Sequence, residues 1–337
     1  MLLRLLFILL AIAGSYEART ITDMAGRQIT IDAPLTKVFG SAPPTSYLVA
    51  LFKPEALVGL NIPLDNANNR GSLVLDPRLK ELPILKGWHG TAGGSSAETL
   101  LAKGTQAVIA WNNPFLNGMI EKSLRGTEIQ LVYIDPEEPA RLPETFRFLG
   151  ELFEMPERGE ALAQYAESVN ARLDALRATV ETPKRVYYAL GPKGLLSECD
   201  NSFHATFIEA TGSVNVNHCE QSALIGLEAV SFESLLQWQP DVIVVQDASF
   251  YKRIFDDTQW KLLDAVRKRS VLYVPKTPIN WLDRPPSFMR LIGAQWLASQ
   301  LYPELYGTEI DSEIARFFEL FFHYKAEPES LKGMVRP

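Results

Sequence analysis

The segment ERGEALAQYAESVNARLDALRATVE, residues 157–181, constrains this chain more than any other. Apolar residues recur at Leu162, Tyr165, Val169, Leu173 and Leu176, the spacing of one helix face. Pro156 precedes the segment and Pro183 closes it, with Gly159 the one glycine inside. The pattern predicts a single helix of about 23 residues, roughly 35 Å long. On either side the chain is written in short apolar runs: KVFGSA, ALVGL, AVIAW and IQLVYI before it, RVYYAL, DVIVVQ and VLYVP after it. Such runs alternating with helical stretches predict α/β layers with mainly parallel sheets. Ordinary domain linkers are short and polar, so a long helix between two α/β halves is unusual. The expected division is an N-terminal α/β lobe at 19–156, a linker helix at 157–181 and a C-terminal α/β lobe at 182–337.

The opening MLLRLLFILLAIAGSYEA has one early Arg4, an apolar run from Leu5 to Ala13 and then small residues. It has the layout of a secretory signal peptide and is too short for a span of about 20 residues. Cleavage after Ser15 or after Ala18 both fit, so 1–18 is taken as the leader. An exported, soluble protein is expected. Net charge is −7 with no Lys/Arg cluster, which argues against nucleic acid or an anionic membrane as partner. In an oxidising compartment the two cysteines, Cys199 and Cys219, are expected to form one disulfide. RTITDMAGRQITI (19–31) alternates around Gly26 and predicts a β-hairpin.

Enzyme signatures are missing from the sequence: there is no G-x-G-x-x-G after a strand, no P-loop, no G-x-S-x-G elbow and no H-E-x-x-H. The four histidines show no metal-ligand spacing. His323 reads as structural, and His204 as riding the first turn of a helix. His218 lies in a loop beside Cys219, where a disulfide would pin it. Trp88, Trp111 and Trp281 each follow or end an apolar strand-like run, where an open α/β sheet presents the edge at which ligands bind. GWHGTAGGSSAE (87–98) carries Trp88 and His89 ahead of a run of small residues. Its glycines allow close backbone approach, and Ser95 or Ser96 can cap a helix starting near Glu98. The loop is expected to line a cleft. There His89 would either ligate a metal complex, with His218 from the opposite lobe, or donate a hydrogen bond to an oxyanion. A surface loop whose Trp88 covers the core is the alternative.

SSAETLLAKGTQAVIAW (95–111) is echoed by VSFESLLQWQPDVIVVQ (230–246), as a duplication would leave it. These two segments, the T-x-T-D-x-x-G-R opening (Thr20, Thr22, Asp23, Gly26, Arg27) and the run Gly40 to Pro44 form an ordered set. NSFHATFIEATGSVNV and INWLDRPPSFMRLIGAQWLASQLYP continue it. With the long helix, that set resembles the class III periplasmic binding proteins of ABC importers, which carry ferric siderophores, vitamin B12, haem and related metal complexes.

The resemblance implies two Rossmann-like lobes bridged by one helix, a ligand between them, and little hinge motion. It implies a monomer that is not an enzyme and has no permanent cofactor, working with an ABC permease and ATPase in the inner membrane. The small-molecule ligand would be a metal complex of iron-siderophore, nickel or cobalamin type. Molybdate or tungstate is the alternative, and an exported two-domain α/β enzyme is the reading from another class. Glu98 and Glu233 fall where the family offers one carboxylate per lobe to the permease; acids there also suit a helix N-terminus. Arg284, beside Trp281, falls in the expected cleft, while the long loop between Trp88 and Glu98 departs from cobalamin binders.

Overall fold

A computed structural model describes residues 17–88, 94–221, 226–307, 309–325 and 328–335. Its first elements are the expected hairpin, β1 (Arg19–Thr22) and β2 (Gln28–Ile31), paired antiparallel. Asp23 holds the turn: its carboxylate accepts from the backbone of Ala25 and Arg27 and from the Arg27 guanidinium. The same carboxylate accepts from the Tyr133 amide at 3.1 Å, which clamps the hairpin onto the first sheet. T-x-T-D-x-x-G-R is thus a folding motif.

β3 (Val38–Gly40), α1 (Pro43–Phe52), α2 (Ala97–Ala102), β4 (Ala107–Trp111), α3 (Pro114–Leu124), β5 (Gln130–Ile134) and α4 (Leu142–Leu152) build the first half. Its sheet is parallel in the order β3-β4-β5. The run 56–60 forms no strand and contributes two isolated bridges, Leu57 to Val38 and Leu60 to Ile84. The long helix is α5 (Pro156–Thr179), with Pro156 as its first residue, where a missing N–H costs nothing. At its start Gly159 passes Gly150 of α4 so closely that an added Cβ would lie 2.7 Å from the Phe146 carbonyl.

The second half contains β6 (Arg185–Ala189), β7 (Leu196–Ser197), α6 (Thr206–Ala210), β8 (Val214–Asn215), β9 (Glu228–Ala229), α7 (Phe232–Trp238) and β10 (Val242–Val245). It continues through α8 (Ala248–Arg253), α9 (Asp264–Arg267), β11 (Val271–Tyr273), α10 (Arg290–Leu301), α11 (Ile310–Phe322) and α12 (Pro328–Val335). Its main sheet is parallel in the order β11-β10-β6-β8.

Strand alternation decides which core each residue joins. Ala107 and Ile109 of β4, and Val186 and Tyr188 of β6, face one continuous core. That core also takes Leu162, Tyr165, Val169, Leu173 and Leu176 of α5 and runs on through α10 and α11. Val108 and Ala110 face a separate cluster on the far side of the first sheet, and Tyr187 and Ala189 one on the far side of the second. One core shared by both sheets resists hinge opening, because separating the halves would expose it.

The sequence echo is a structural duplication. Ser96 and Ser231 cap α2 and α7 with matching backbone angles (φ −73°, ψ 150° and φ −77°, ψ 151°), each accepting from the amide three residues on. Gly104 and Gln239 then turn the chain at positive φ into β4 and β10. Cys199 and Cys219 are bonded, with Cα atoms 5.0 Å apart. Replacing both by Ser should remove about 3 kcal/mol, the chain-entropy value for a loop of about 20 residues. Urea unfolding checks this; an unchanged midpoint would count against it.

Candidate functional site

The carboxyl ends of the two parallel sheets meet in an aromatic and polar junction. Trp111, the last residue of β4, is nearly buried and contacts Phe203 of the second half edge to face at 5.7 Å. Phe203 stacks on His204 with ring centroids 4.0 Å apart, and His204 Nδ1 lies 2.7 Å from Asp283 Oδ1. Arg290, 1% exposed, ties the layer together. Its guanidinium donates to the carbonyls of Leu282 (2.8 Å), Phe203 (2.8 Å) and Glu137 (3.2 Å) and to Asp283 (3.3 Å).

Beside this group, fully buried Glu198 accepts from the Ser202 hydroxyl and pairs with Arg284, which also approaches Asp283 at 3.6 Å. The disulfide supports Glu198 directly. Cys199 is the next residue, and the Asn215 and Asn217 amides, on the chain leading to Cys219, donate to the Glu198 carbonyl. A second seam joins the halves. Arg70 N–H donates to the Lys276 and Pro278 carbonyls, Asn280 N–H to Asn69 Oδ1, and Lys276 Nζ to the Ala67 carbonyl. Gln246, at the end of β10, accepts from the Asn280 amide at 2.6 Å.

Burial pushes the Asp283 carboxyl up, but His204, Arg290 and Arg284 outweigh it and hold it below the ordinary range. Burial raises Glu198 against the pull of Arg284. It lowers Lys276 to about 8, opposed by Asp247. Glu137, after β5, is pushed up by burial to about 7 against Arg290, and its Oε2 has no hydrogen-bond partner among the described residues. A carboxyl whose pKa rises on folding contributes stability while protonated, and that contribution fades as pH climbs from 4.5 through about 7. Glu137→Gln should therefore gain on wild type between pH 5 and pH 8, by about 1–2 kcal/mol after discounting partial exposure. Parallel pH dependence of the two thermal midpoints would contradict this.

Of the residues expected from sequence, Trp111 and Arg284 stand at this junction. Trp281 is a core residue: it is 0% exposed, its indole N–H donates to the Thr277 carbonyl, and Phe318 packs against it. With every face covered it offers no surface to a ligand, which corrects its placement in the cleft. Trp88 is likewise buried, in the far-side cluster, with its indole N–H on Ser123. Gly94 lies against that ring: an added Cβ would come 2.2 Å from Nε1. Covering the core, the alternative noted from sequence, describes Trp88. His218 is exposed, its ring bonded to Asp200, which raises its pKa. Its bonded partner, Asp200, is not one of the junction residues. His89 lies outside the described residues.

His204, read from sequence as an ordinary first-turn residue, is instead central. Asp283, Glu198, Phe203 and Glu137 are not among the residues expected from sequence. The only sequence hint was that Asp283 and Glu198 directly adjoin Arg284 and Cys199. Among the described residues no group of three His, Cys, Asp or Glu side chains is placed to hold a metal ion. No helix among them is long and apolar enough to cross a membrane.

Residues 95–278 match the family model described as periplasmic binding protein. The molybdate-binding protein MolA of Haemophilus influenzae is 25% identical over 192 residues, 56% of this chain and 54% of that protein. In sequence the chain thus spans about half the length of the curated relative it matches. The structure of an ABC transporter solute binding protein from Sulfurospirillum deleyianum superimposes with a TM-score of 0.89 at 38% identity, covering 94% of this chain and 98% of that one. MolA bound to molybdate gives 0.74 at 21%, covering 92% and 99%. The Helicobacter pylori CeuE complex with Ni-His gives 0.69 at 14%, covering 95% and 100%. These last two likenesses carry the fold alone.

Proposed function

The chain belongs to the periplasmic binding protein family, and from that premise we propose that it is the solute-capturing component of an ABC importer. In this reading residues 1–18 direct export to the periplasm and are removed. The mature protein, a monomer without enzymatic activity, delivers its ligand to an inner-membrane permease and ATPase. The two lobes divide at the long helix, and the ligand sits where the carboxyl ends of their sheets face each other.

One observation carries the placement of the site: Trp111 of the first half and Phe203–His204 of the second meet over the Asp283–Arg290–Arg284 layer. Aromatic faces beside fixed cations suit a compact metal complex, held without being consumed. We assign ligand contact to Trp111, Arg284 and His204, keep His89 as donor, and leave out Trp88, Trp281 and His218. Molybdate is the second reading, favoured by the 25% identity to a molybdate-binding protein.

Fluorescence titration with nickel–histidine, a ferric siderophore and molybdate in parallel tests the proposal. One of them should quench saturably and be recovered unchanged. Trp111→Ala should weaken that ligand about tenfold, the upper end of what one aromatic contact contributes. No saturable binding to any of the three, or turnover of one, would overturn the proposal. His89→Ala separates the two roles: loss confined to metal complexes means ligation, loss confined to molybdate means hydrogen bonding.

A further inference from the structure

The duplicated units α2–β4 and α7–β10 are identical at four helix-side positions: Ser96 and Ser231, Glu98 and Glu233, Leu100 and Leu235, Leu101 and Leu236. Three of these identities have folding reasons. The serines cap the helices, and Leu100 and Leu235 are fully buried. An acid in the first turn also suits the helix dipole. The second leucines have no such reason: Leu101 is 48% exposed and Leu236 36%. The neighbouring positions have diverged, Ala97 against Phe232 and Ala102 against Gln237, so general similarity does not explain a leucine retained in both.

Leu101 and Leu236 each stand three residues after the exposed glutamate, on the same helix face one turn along. Each half therefore presents the same pair, a carboxylate and an apolar side chain. A surface given twice, once per lobe, is complementary to a partner that is itself two-fold. We propose that Leu101 and Leu236 are apolar anchors of the docking face, each entering a small apolar pit beside a cationic group on a two-fold membrane permease. This rests on the importer reading.

The test uses the full mature chain and the importer's own permease–ATPase complex in lipid nanodiscs. Leu101→Ser and Leu236→Ser should each weaken docking about tenfold, with the losses compounding in the double variant. Ligand affinity should not move, and the thermal midpoint should fall no further than in the exposed-leucine controls below. Loss of an apolar contact should be the same at low and high salt, whereas the loss in Glu98→Ala should shrink as salt screens it. Leu262→Ser and Leu305→Ser, at exposed leucines elsewhere, should dock as wild type. If the double leucine variant docks normally while the glutamate variants fail, the leucine proposal is wrong and the importer reading stands. If neither pair of substitutions changes docking, the leucine proposal is wrong and the protein meets its partner through another face; if the wild type itself does not dock, the importer reading is wrong.

Discussion

Asp283→Ala is expected to lower stability by about 3–5 kcal/mol, seen as a fall in the urea midpoint at unchanged slope. Arg290 is the reason. Its guanidinium is buried, and three of its bonds go to carbonyls that satisfy its N–H groups without neutralising its charge. Asp283 is the acidic side chain paired with it. Removing the carboxylate takes away the ion-pair partner of that cation, leaving only the partly protonated Glu137 carboxyl near it, and also strips His204 of the partner that orients its ring. Asp283→Asn, which keeps a hydrogen-bond acceptor for His204, should lose less. Adding Arg290→Met to Asp283→Ala should recover much of the loss, since a missing ion pair is cheaper than half of one. A loss under about 1 kcal/mol in the alanine variant would mean that the carbonyls alone sustain the buried charge.

Distance along the chain explains what could be read beforehand. The long helix, the parallel strands, the hairpin and the duplicated unit rest on patterns within a few residues of each other, and each is present in the structure. The disulfide followed from compartment and count. The junction has no local pattern: His204 meets Asp283 across 79 positions, and Arg290 meets Glu137 across 153. Tryptophans at strand ends look alike in sequence whether they face a cleft or a core. Gly94 closing over Trp88, and Gly293 of α10 packing against the Trp281 carbonyl, decide that question.

The shared core bears on how a loaded protein could be recognised. With α5, α10 and α11 in one core with residues of both sheets, wide opening is disfavoured, and under the proposed importer role a partner would have to read small changes in the spacing of the two lobes. A carboxylate fixed on each lobe is suited to that task.

Glu98→Ala with Glu233→Ala is accordingly expected to reduce uptake in cells to background while ligand affinity stays within about twofold. Both side chains are exposed in the first turns of capped helices, so neither supports the core. Glu98 is held ionised by its own backbone N–H and the Ser96 hydroxyl, which lower its pKa, so it presents a charge throughout the neutral range. Each single variant should retain partial uptake, because the other lobe still engages its half of the permease. Raising the ionic strength should weaken wild-type docking and leave the double variant little changed, since exposed charges act within a Debye length of about 8 Å at physiological salt. Equal losses of ligand affinity and uptake would place these residues in the cleft instead. Full uptake by the double variant would mean that the protein meets its partner through another face.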